Sequence, residues 1–145
     1  MPANDIFHDV VKKALIRDGW EITHDPFFMR YGKTDFYIDL GAEKILAAEK
    51  EGKKIAVEIK SFLGDSVTYE FHAAPGQFTN CRYVPEENEP DRVLHMAVPV
   101  HIYDSFLKSR FGQMVIRKSG LRIVSCNSEK EEIEEWTNQE GMETM

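Results

Sequence analysis

The clearest pattern of apolar and polar residues lies at the start of the chain, where apolar residues recur every three or four positions. These residues are Ile6, Phe7, Val10, Val11, Ala14 and Leu15. An apolar stripe with this spacing is typical of an amphipathic helix. Asn4 is a suitable N-cap for it, and Gly19 is a suitable stop. The pattern predicts a helix over residues 5–18 that packs one face against a core.

Shorter stretches predict the remaining elements. Strands are predicted at residues 20–23, 27–31, 34–40, 55–62, 93–100, 114–116 and 121–124. Helices are predicted at residues 67–83, with an interruption at Pro75-Gly76, and at residues 102–110 and 129–136. Residues 42–50 contain strong helix formers but run into a turn, so a helix and a partly extended segment both remain open. This order predicts an α/β fold, a mixed sheet flanked by helices.

Size and composition restrict the class of protein. At 145 residues, the chain has room for one core, and we expect a single domain over residues 1–138 with a frayed acidic tail at 139–145. No apolar run is long enough to cross a bilayer or to serve as a signal peptide, so we expect a soluble, cytoplasmic protein. Cys81 and Cys126 form no CxxC pair and have no neighbouring His at zinc spacing, so neither a disulfide framework nor a structural zinc site is expected.

The charge of the chain is concentrated near its end. Residues 129–145 contain seven Glu and one Lys, a net charge of −6, and the whole chain carries −7, which leaves −1 for residues 1–128. A charge of −7 argues against a protein that coats nucleic acid, because phosphate binding needs clustered Lys and Arg. The nearly neutral body still contains basic pairs, such as Arg117-Lys118, that have the chemistry to contact phosphate.

The candidate chemistry lies in the strand predicted at residues 55–62. Side chains alternate between the two faces of a strand, so Ile55, Val57 and Ile59 share one face. Glu58 and Lys60 lie side by side on the other. An acid and a lysine in this arrangement are either part of an ordinary solvent-exposed face or part of a metal-binding catalytic edge.

A second carboxylate precedes this strand. Asp39 lies near the end of the strand predicted at residues 34–40, and on an adjacent strand it would converge with Glu58 and Lys60. Two carboxylates and the backbone carbonyl of Ile59 are oxygen ligands suited to Mg²⁺ or Mn²⁺. Such an ion lowers the pKa of a bound water, while a lysine orients the water or stabilises a phosphate. The set is therefore suited to phosphodiester hydrolysis.

The residues around this set resemble a known family. The chain reads YIDLGAEK at residues 37–44, LAAE at 46–49 and KIAVEIKSF at 54–62, with DIFHD at 5–9 and EEIEEW at 131–136. These stretches closely resemble the XisH family, and the resemblance covers nearly the whole chain. XisH proteins are cyanobacterial factors required, with a partner called XisI and a separate recombinase, for programmed excision of the fdxN DNA element.

The resemblance implies a fold and a set of site residues. The family is similar to the restriction-endonuclease-like, PD-(D/E)XK superfamily, whose core is a helix, a three-stranded meander, a helix and a further strand. Asp39, Glu58 and Lys60 fall on the motif of that superfamily. Gln77 falls where some of its nuclease branches have a glutamine on a helix.

The implied function is control of the excision of a DNA element, with an endonuclease-like site that uses a divalent metal. The alternative is a non-enzymatic interaction module that acts through XisI or the recombinase. The implied partners are an XisI-like protein, DNA and a site-specific recombinase, and no membrane. The aromatic residues Phe27, Phe28 and Phe111, expected to be exposed, leave room for a homodimer surface.

Overall fold

The fold is that of a computed structural model of the chain, which describes residues 3–25, 27, 29–31, 34–36, 45–62 and 89–137. Within these residues the chain forms a six-stranded main sheet and a separate two-stranded sheet. Helices cover both faces of the main sheet, so the predicted α/β class, a mixed sheet flanked by helices, is confirmed. No helix of the described part is long and apolar enough to cross a membrane.

The elements follow one another with short connections wherever the structure describes the chain between them. In chain order they are α1 (Ala3–Arg17), β1 (Glu21–His24), β2 (Met29–Tyr31), β3 (Thr34–Phe36), β4 (Ile45–Lys50), β5 (Lys53–Ile59), β6 (Arg92–Pro99), α2 (Val100–Ile102), a π-helical turn (Tyr103–Leu107), α3 (Arg110–Ser119), β7 (Ile123–Asn127) and β8 (Glu132–Thr137).

The main sheet combines an antiparallel and a parallel half. Its strand order is β1-β4-β5-β6-β7-β8. β1, β4 and β5 form an antiparallel meander, β5, β6 and β7 are parallel, and β8 returns antiparallel to β7. Glu51 and Gly52 join β4 to β5, and their φ angles of 51° and 82° are those of a type I′ hairpin turn. β3 pairs with β2 in the separate sheet, whereas β5 lies between β4 and β6. The expectation that the strand predicted at residues 34–40 lies beside β5 is therefore wrong for its described part, residues 34–36.

Two apolar clusters hold the layers together. On one face, α1 packs Val11 and Leu15 against Val57 of β5, and we call this the α1-side core. On the other face, Ile116 of α3 packs in a cluster with Met96 of β6, and we call this the α3-side core. Most of the apolar stripe predicted for the first helix is buried, which confirms that helix. β5 therefore has apolar packing on both faces.

The strand predicted at residues 114–116 is wrong, because these residues lie within α3. Three successive apolar residues resemble a strand, but the ends of the segment are those of a helix. The Ser109 hydroxyl accepts a hydrogen bond from the Gly112 amide at 3.0 Å, and Gly120 ends the helix in the left-handed region with φ 73°. Such an N-cap and glycine C-cap define a helix of ten residues.

The helix predicted at residues 129–136 is also wrong, because the chain forms β8 there. Ile133 and Trp136 are three positions apart, a helical spacing, and both pack against the α1-side core. In the ladder with β7, Ser125 pairs with Glu135 and Cys126 with Ile133, so Glu134 is an extra residue. A bulge of this kind shifts the alternation by one position. It lets two residues with helical spacing face the same side of a strand.

The other predictions differ less from the structure. Residues 45–50 are extended as β4, which decides between the two alternatives left open for that segment. Residues 102–107 are helical as predicted, but Tyr103–Leu107 has π-helical winding.

Phe27 is only 7% exposed, so its assignment to an exposed dimer surface is wrong, while Phe111 is 42% exposed. Phe28 and the helix predicted at 67–83 lie outside the described residues.

Candidate functional site

Glu58 and Lys60, at the end of β5, are both buried. Glu58 is 1% exposed and Lys60 is 5% exposed. An acid and a lysine on a solvent-exposed face keep their charged ends in water, and fully buried Glu and Lys are rare unless they are paired. The interpretation of these two residues as an ordinary solvent-exposed face is therefore wrong.

The side chain of Glu58 lies on the α3 side of the sheet, between two apolar strand partners. Ala56, two residues earlier, belongs to the α3-side core, and alternation along the strand places Glu58 on the same face. Ile45 is its partner across β4 and Met96 its partner across β6, and both belong to that core as well. Removing a carboxylate from water costs several kcal/mol, about the scale of whole-protein stability, unless partners compensate.

Lys60 contacts β6 through its backbone and Phe62 through its side chain. Its backbone amide donates a hydrogen bond to the carbonyl of Ala97 at 2.9 Å, which extends the parallel pairing with β6. Its Nζ lies 5.8 Å from the centroid of the Phe62 ring, within the range of a cation–π interaction. Phe62 is buried and has φ 56°, a left-handed conformation that costs an aromatic residue about 1–3 kcal/mol. Strained backbone therefore lies two residues from the lysine.

Of the other predicted site residues, Ile59 lies in the described part of the chain, and Asp39 and Gln77 do not. The Lys60 amide points toward β6, so the carbonyl of Ile59, on the other side of the same peptide unit, points toward β4. Asp39 and Gln77 lie outside the described residues. Asp39 precedes Ile45 by six positions in the sequence, and Ile45 is the partner of Glu58 in β4. Within the part of the chain that the structure describes, no three His, Cys, Asp or Glu residues are grouped to hold a metal ion.

A cluster of charged residues on the α1 side was missed by the sequence reasoning. The Nε2 atom of His8 lies 2.9 Å from Oδ1 of Asp25, and the Nζ of Lys12 lies 2.9 Å from Oδ2. Burial would raise the pKa of Asp25, but hydrogen bonds from Lys12 and His8 outweigh it and lower that pKa. Asp25 follows β1 at the same end of the sheet as Glu58. The four-residue spacing of His8 and Lys12 on a predicted helix was the only available signal.

A buried arginine on the α3 side was missed as well. Arg92, the first residue of β6, donates from Nη1 to the carbonyl of Ile55 at 2.9 Å and from Nη2 to Oε1 of Glu89 at 3.2 Å. Its guanidinium lies 5.0 Å from the centroid of the Phe27 ring. Phe27 also belongs to the α3-side core. In the sequence, Arg92 is only a charged residue ahead of an apolar run.

Comparison with known proteins gives a consistent set of relatives. The family described as XisH protein matches residues 1–134. A crystal structure of an XisH family protein from Nostoc punctiforme PCC 73102 is 42% identical, with a TM-score of 0.82, and the match covers 91% of this chain and 98% of that one. A crystal structure of an fdxN element excision controlling factor protein from Anabaena variabilis is 43% identical, with a TM-score of 0.81 and the same coverage. None of the curated proteins compared matches the chain.

Proposed function

The chain belongs to the XisH family, and on that basis we propose that it helps to control the programmed excision of a DNA element. We further propose that it does so through an endonuclease-like site that uses a divalent metal. The first part is supported by the Anabaena variabilis relative, which is named an fdxN element excision controlling factor and is 43% identical. The second part rests on the end of β5.

The burial of Glu58 and Lys60 is the observation that carries the proposal. Glu and Lys are almost never fully buried unless they are paired, and here one of each is buried two residues apart. Ionisable groups in such environments are concentrated at functional sites. The strained Phe62 beside Lys60 supports the same interpretation, because backbone strain also clusters at such sites.

The topology supports a restriction-endonuclease-like, PD-(D/E)XK fold. α1, the meander of β1, β4 and β5, and the parallel β6 occur in the order expected for that superfamily, with β2 and β3 inserted between β1 and β4; the second helix of that core, predicted at residues 67–83, lies outside the described residues. In this assignment the Glu58 and Lys60 motif lies at the end of β5 and β4 is the middle strand. Asp39 would then reach the site from the segment that leads into β4 at Ile45, the partner of Glu58.

The donor groups at the end of β5 fit Mg²⁺ or Mn²⁺. The Glu58 carboxylate and the Ile59 carbonyl are hard oxygen ligands, and Asp39 would add a second carboxylate. A bound ion supplies an activated water and neutralises charge that develops on a phosphate. Lys60 would orient the water or hold a phosphate oxygen, and its backbone bond to Ala97 fixes the start of its side chain. Gln77 remains a candidate for positioning the substrate.

Metal binding and DNA cleavage test this proposal together. We expect wild type to bind Mn²⁺ in calorimetry and to cleave DNA in its presence, and Glu58→Gln to lose both activities. Glu49→Gln is a matched control, because Glu49 lies on neighbouring β4 and is half-buried. Equal background cleavage by wild type and Glu58→Gln would rule out the nuclease. Equal Mn²⁺ binding by the two proteins would rule out the metal site.

A second candidate function is a non-enzymatic interaction module that acts through an XisI-like protein or the recombinase. β8 forms one edge of the main sheet, and it exposes Glu132, Glu134 and Glu135, a surface suited to a basic partner. Replacing these three residues with Gln and measuring co-purification with XisI tests this role. The substitutions are preferable to deleting residues 129–145, because the deletion would remove β8. Full retention of XisI by the triple variant would exclude this surface.

A further inference from the structure

We propose that the exposed face of α3, within the basic segment at residues 100–122, binds the phosphate backbone of duplex DNA. The inference rests on the proposed function for its class of partner, and it assigns that partner to a surface separate from Glu58. The surface is defined by Arg110, Arg117 and Lys118 of α3, and we call it the α3 basic surface.

The charge of this segment has the opposite sign to that of the whole chain. Residues 100–122 contain five basic residues and one acidic residue, a net charge of +4, whereas the chain carries −7. The basic residues are Lys108, Arg110, Arg117, Lys118 and Arg122. Residues 123–137 contain five Glu and one Lys, a net charge of −4. The positive charge is thus concentrated on one helical layer, and local clustering rather than total charge determines phosphate binding.

Three of these cations are available to a partner. Lys108 is already engaged by Asp104, with Nζ 3.3 Å from Oδ1. Arg110, Arg117 and Lys118 are exposed, and none of them forms an ion pair with any residue in the described ranges. Exposed cations that the fold leaves unneutralised are the groups that can replace counterions on DNA.

The spacing of these residues gives the surface a regular form. Arg110 and Arg117 are seven positions apart, which on an α-helix places them on one face about 10.5 Å apart. Phe111 and Lys118, each one position after an arginine, are also seven positions apart and share a neighbouring face of the helix. Phe111 is 42% exposed, so an aromatic side chain lies among the cations. Arginine guanidinium groups bind phosphate in two-pronged fashion, and lysine binds as a point charge.

The position of α3 connects this surface to the candidate site. The inner side of α3 buries Ile116 in the α3-side core, which also contains Ile45 and Met96, the two partners of Glu58 across the sheet. The basic layer and the Glu58 carboxylate therefore belong to the same side of the main sheet. The exposed Glu residues of β8 at one edge would repel a polyanion there. DNA on the α3 basic surface would lie on the side of the sheet that carries Glu58.

The salt dependence of DNA binding tests the proposal. A labelled mixed-sequence duplex of roughly 30 base pairs is titrated with protein in EDTA, so that no chemistry occurs, at several salt concentrations. Three phosphate contacts correspond to a slope of log K against log salt near −2.7. We expect the slope for the triple variant Arg110→Gln, Arg117→Gln, Lys118→Gln to be smaller in magnitude than the wild-type slope by about 2.7. Each single substitution should reduce it by about 0.9. Lys13→Gln is the matched control, because Lys13 is paired with Glu131 on the α1 side.

Each outcome decides the proposal. Loss of slope in the α3 variants, with an unchanged slope in Lys13→Gln, supports it. No DNA binding by wild type at low salt overturns it, as does an equal slope for wild type and the three single variants. Polyglutamate and unlabelled duplex are also compared as competitors at equal concentrations of charge. If polyglutamate displaces the labelled DNA as effectively as the duplex does, the proposal is overturned and an acidic protein partner is indicated. Failure of cleavage in Mg²⁺ would count against the nuclease and leave the result in EDTA unaffected.

Discussion

His95 makes the stability of the fold depend on pH in a way that one substitution can isolate. It lies in the middle of β6, is fully buried, and its ring packs edge-on against Trp136 with centroids 5.0 Å apart. Neither ring nitrogen has a hydrogen-bond partner in the described part of the chain. Burial lowers the pKa of His95 from 6.5 to about 3, and the positive charge of Arg122 contributes to the lowering. The imidazole is therefore neutral in the folded protein.

The size and sign of the effect follow from the two pKa values. Below pH 6.5 the unfolded chain binds a proton at His95 that the folded chain does not, so stability falls as pH falls from 6.5 toward about 3. Each pH unit in that window costs about 1.4 kcal/mol. From about pH 7 to pH 5 the loss is roughly 2 kcal/mol, a large share of the stability of a domain of this size.

The variant His95→Leu removes this contribution while keeping a side chain of similar volume. We expect it to be within about 1 kcal/mol of wild type near pH 7, because it also removes an unsatisfied buried polar group. The free energy of unfolding of the variant minus that of wild type should be roughly 2 kcal/mol larger near pH 5 than near pH 7.

Urea unfolding, followed by far-UV circular dichroism at several pH values, measures this difference. Fluorescence is less suitable because Trp136 contacts the substituted ring. The variant His101→Gln removes an exposed histidine and controls for the loss of an imidazole. A difference between wild type and His95→Leu that stays constant from pH 7 to pH 5 would refute the reasoning.

Three further substitutions test local features of the fold by urea unfolding near pH 7. Ser109→Ala should destabilise the protein by about 1 kcal/mol, because it removes the N-cap of α3. Gly112→Ala should destabilise it by roughly 2 kcal/mol or more, because an added Cβ would lie 2.5 Å from the carbonyl oxygen of Leu107. Glu51→Asn should stabilise it by about 0.5–1 kcal/mol, because Asn-Gly suits the positive φ angles of a type I′ turn.

Ser105→Ala is the control for the N-cap, because the exposed Ser105 hydroxyl donates to the carbonyl of His101 and caps no helix N-terminus. A Ser109→Ala effect no larger than that of Ser105→Ala would contradict the assigned cap. A Gly112→Ala protein as stable as wild type would show that the approach of α3 to Leu107 is looser than described. Destabilisation by Glu51→Asn would contradict the turn type.

The sequence predicted elements where one local pattern dominates. The helix at α1 has an apolar stripe and a glycine stop that agree, although it begins at Ala3 and so includes the predicted N-cap Asn4, and the apolar run of β6 is long enough to be read directly. It failed at α3 and β8, where the deciding features are a serine N-cap with a glycine C-cap and a bulge at Glu134. Alternation along a strand cannot reveal a bulge, because the extra residue shows only when the partner strand is known.

For the candidate site, the sequence placed Glu58 and Lys60 on one strand but not their surroundings. Ile45 and Met96, the partners of Glu58 across the sheet, and Ala97, which accepts from the Lys60 amide, come from two other strands, and such contacts have no local signal. The buried Arg92 and the cluster around Asp25 were missed for the same reason, since each joins distant segments of the chain. The predicted roles of Asp39 and Gln77 stay predictions.

The parallel pairing of β5 with β6 has a consequence for the order of folding. The β4–β5 hairpin closes through two residues, whereas the first pair of the β5–β6 ladder, Lys54 with Arg92, joins positions 38 residues apart. The longer loop costs about 2 kcal/mol more in closure entropy, and hairpins form within microseconds. We therefore expect the hairpin to form first, with Glu58 and Lys60 still in contact with water. Docking of β6 would then remove both side chains from water, and we expect that step to be the one most sensitive to substitutions at the site.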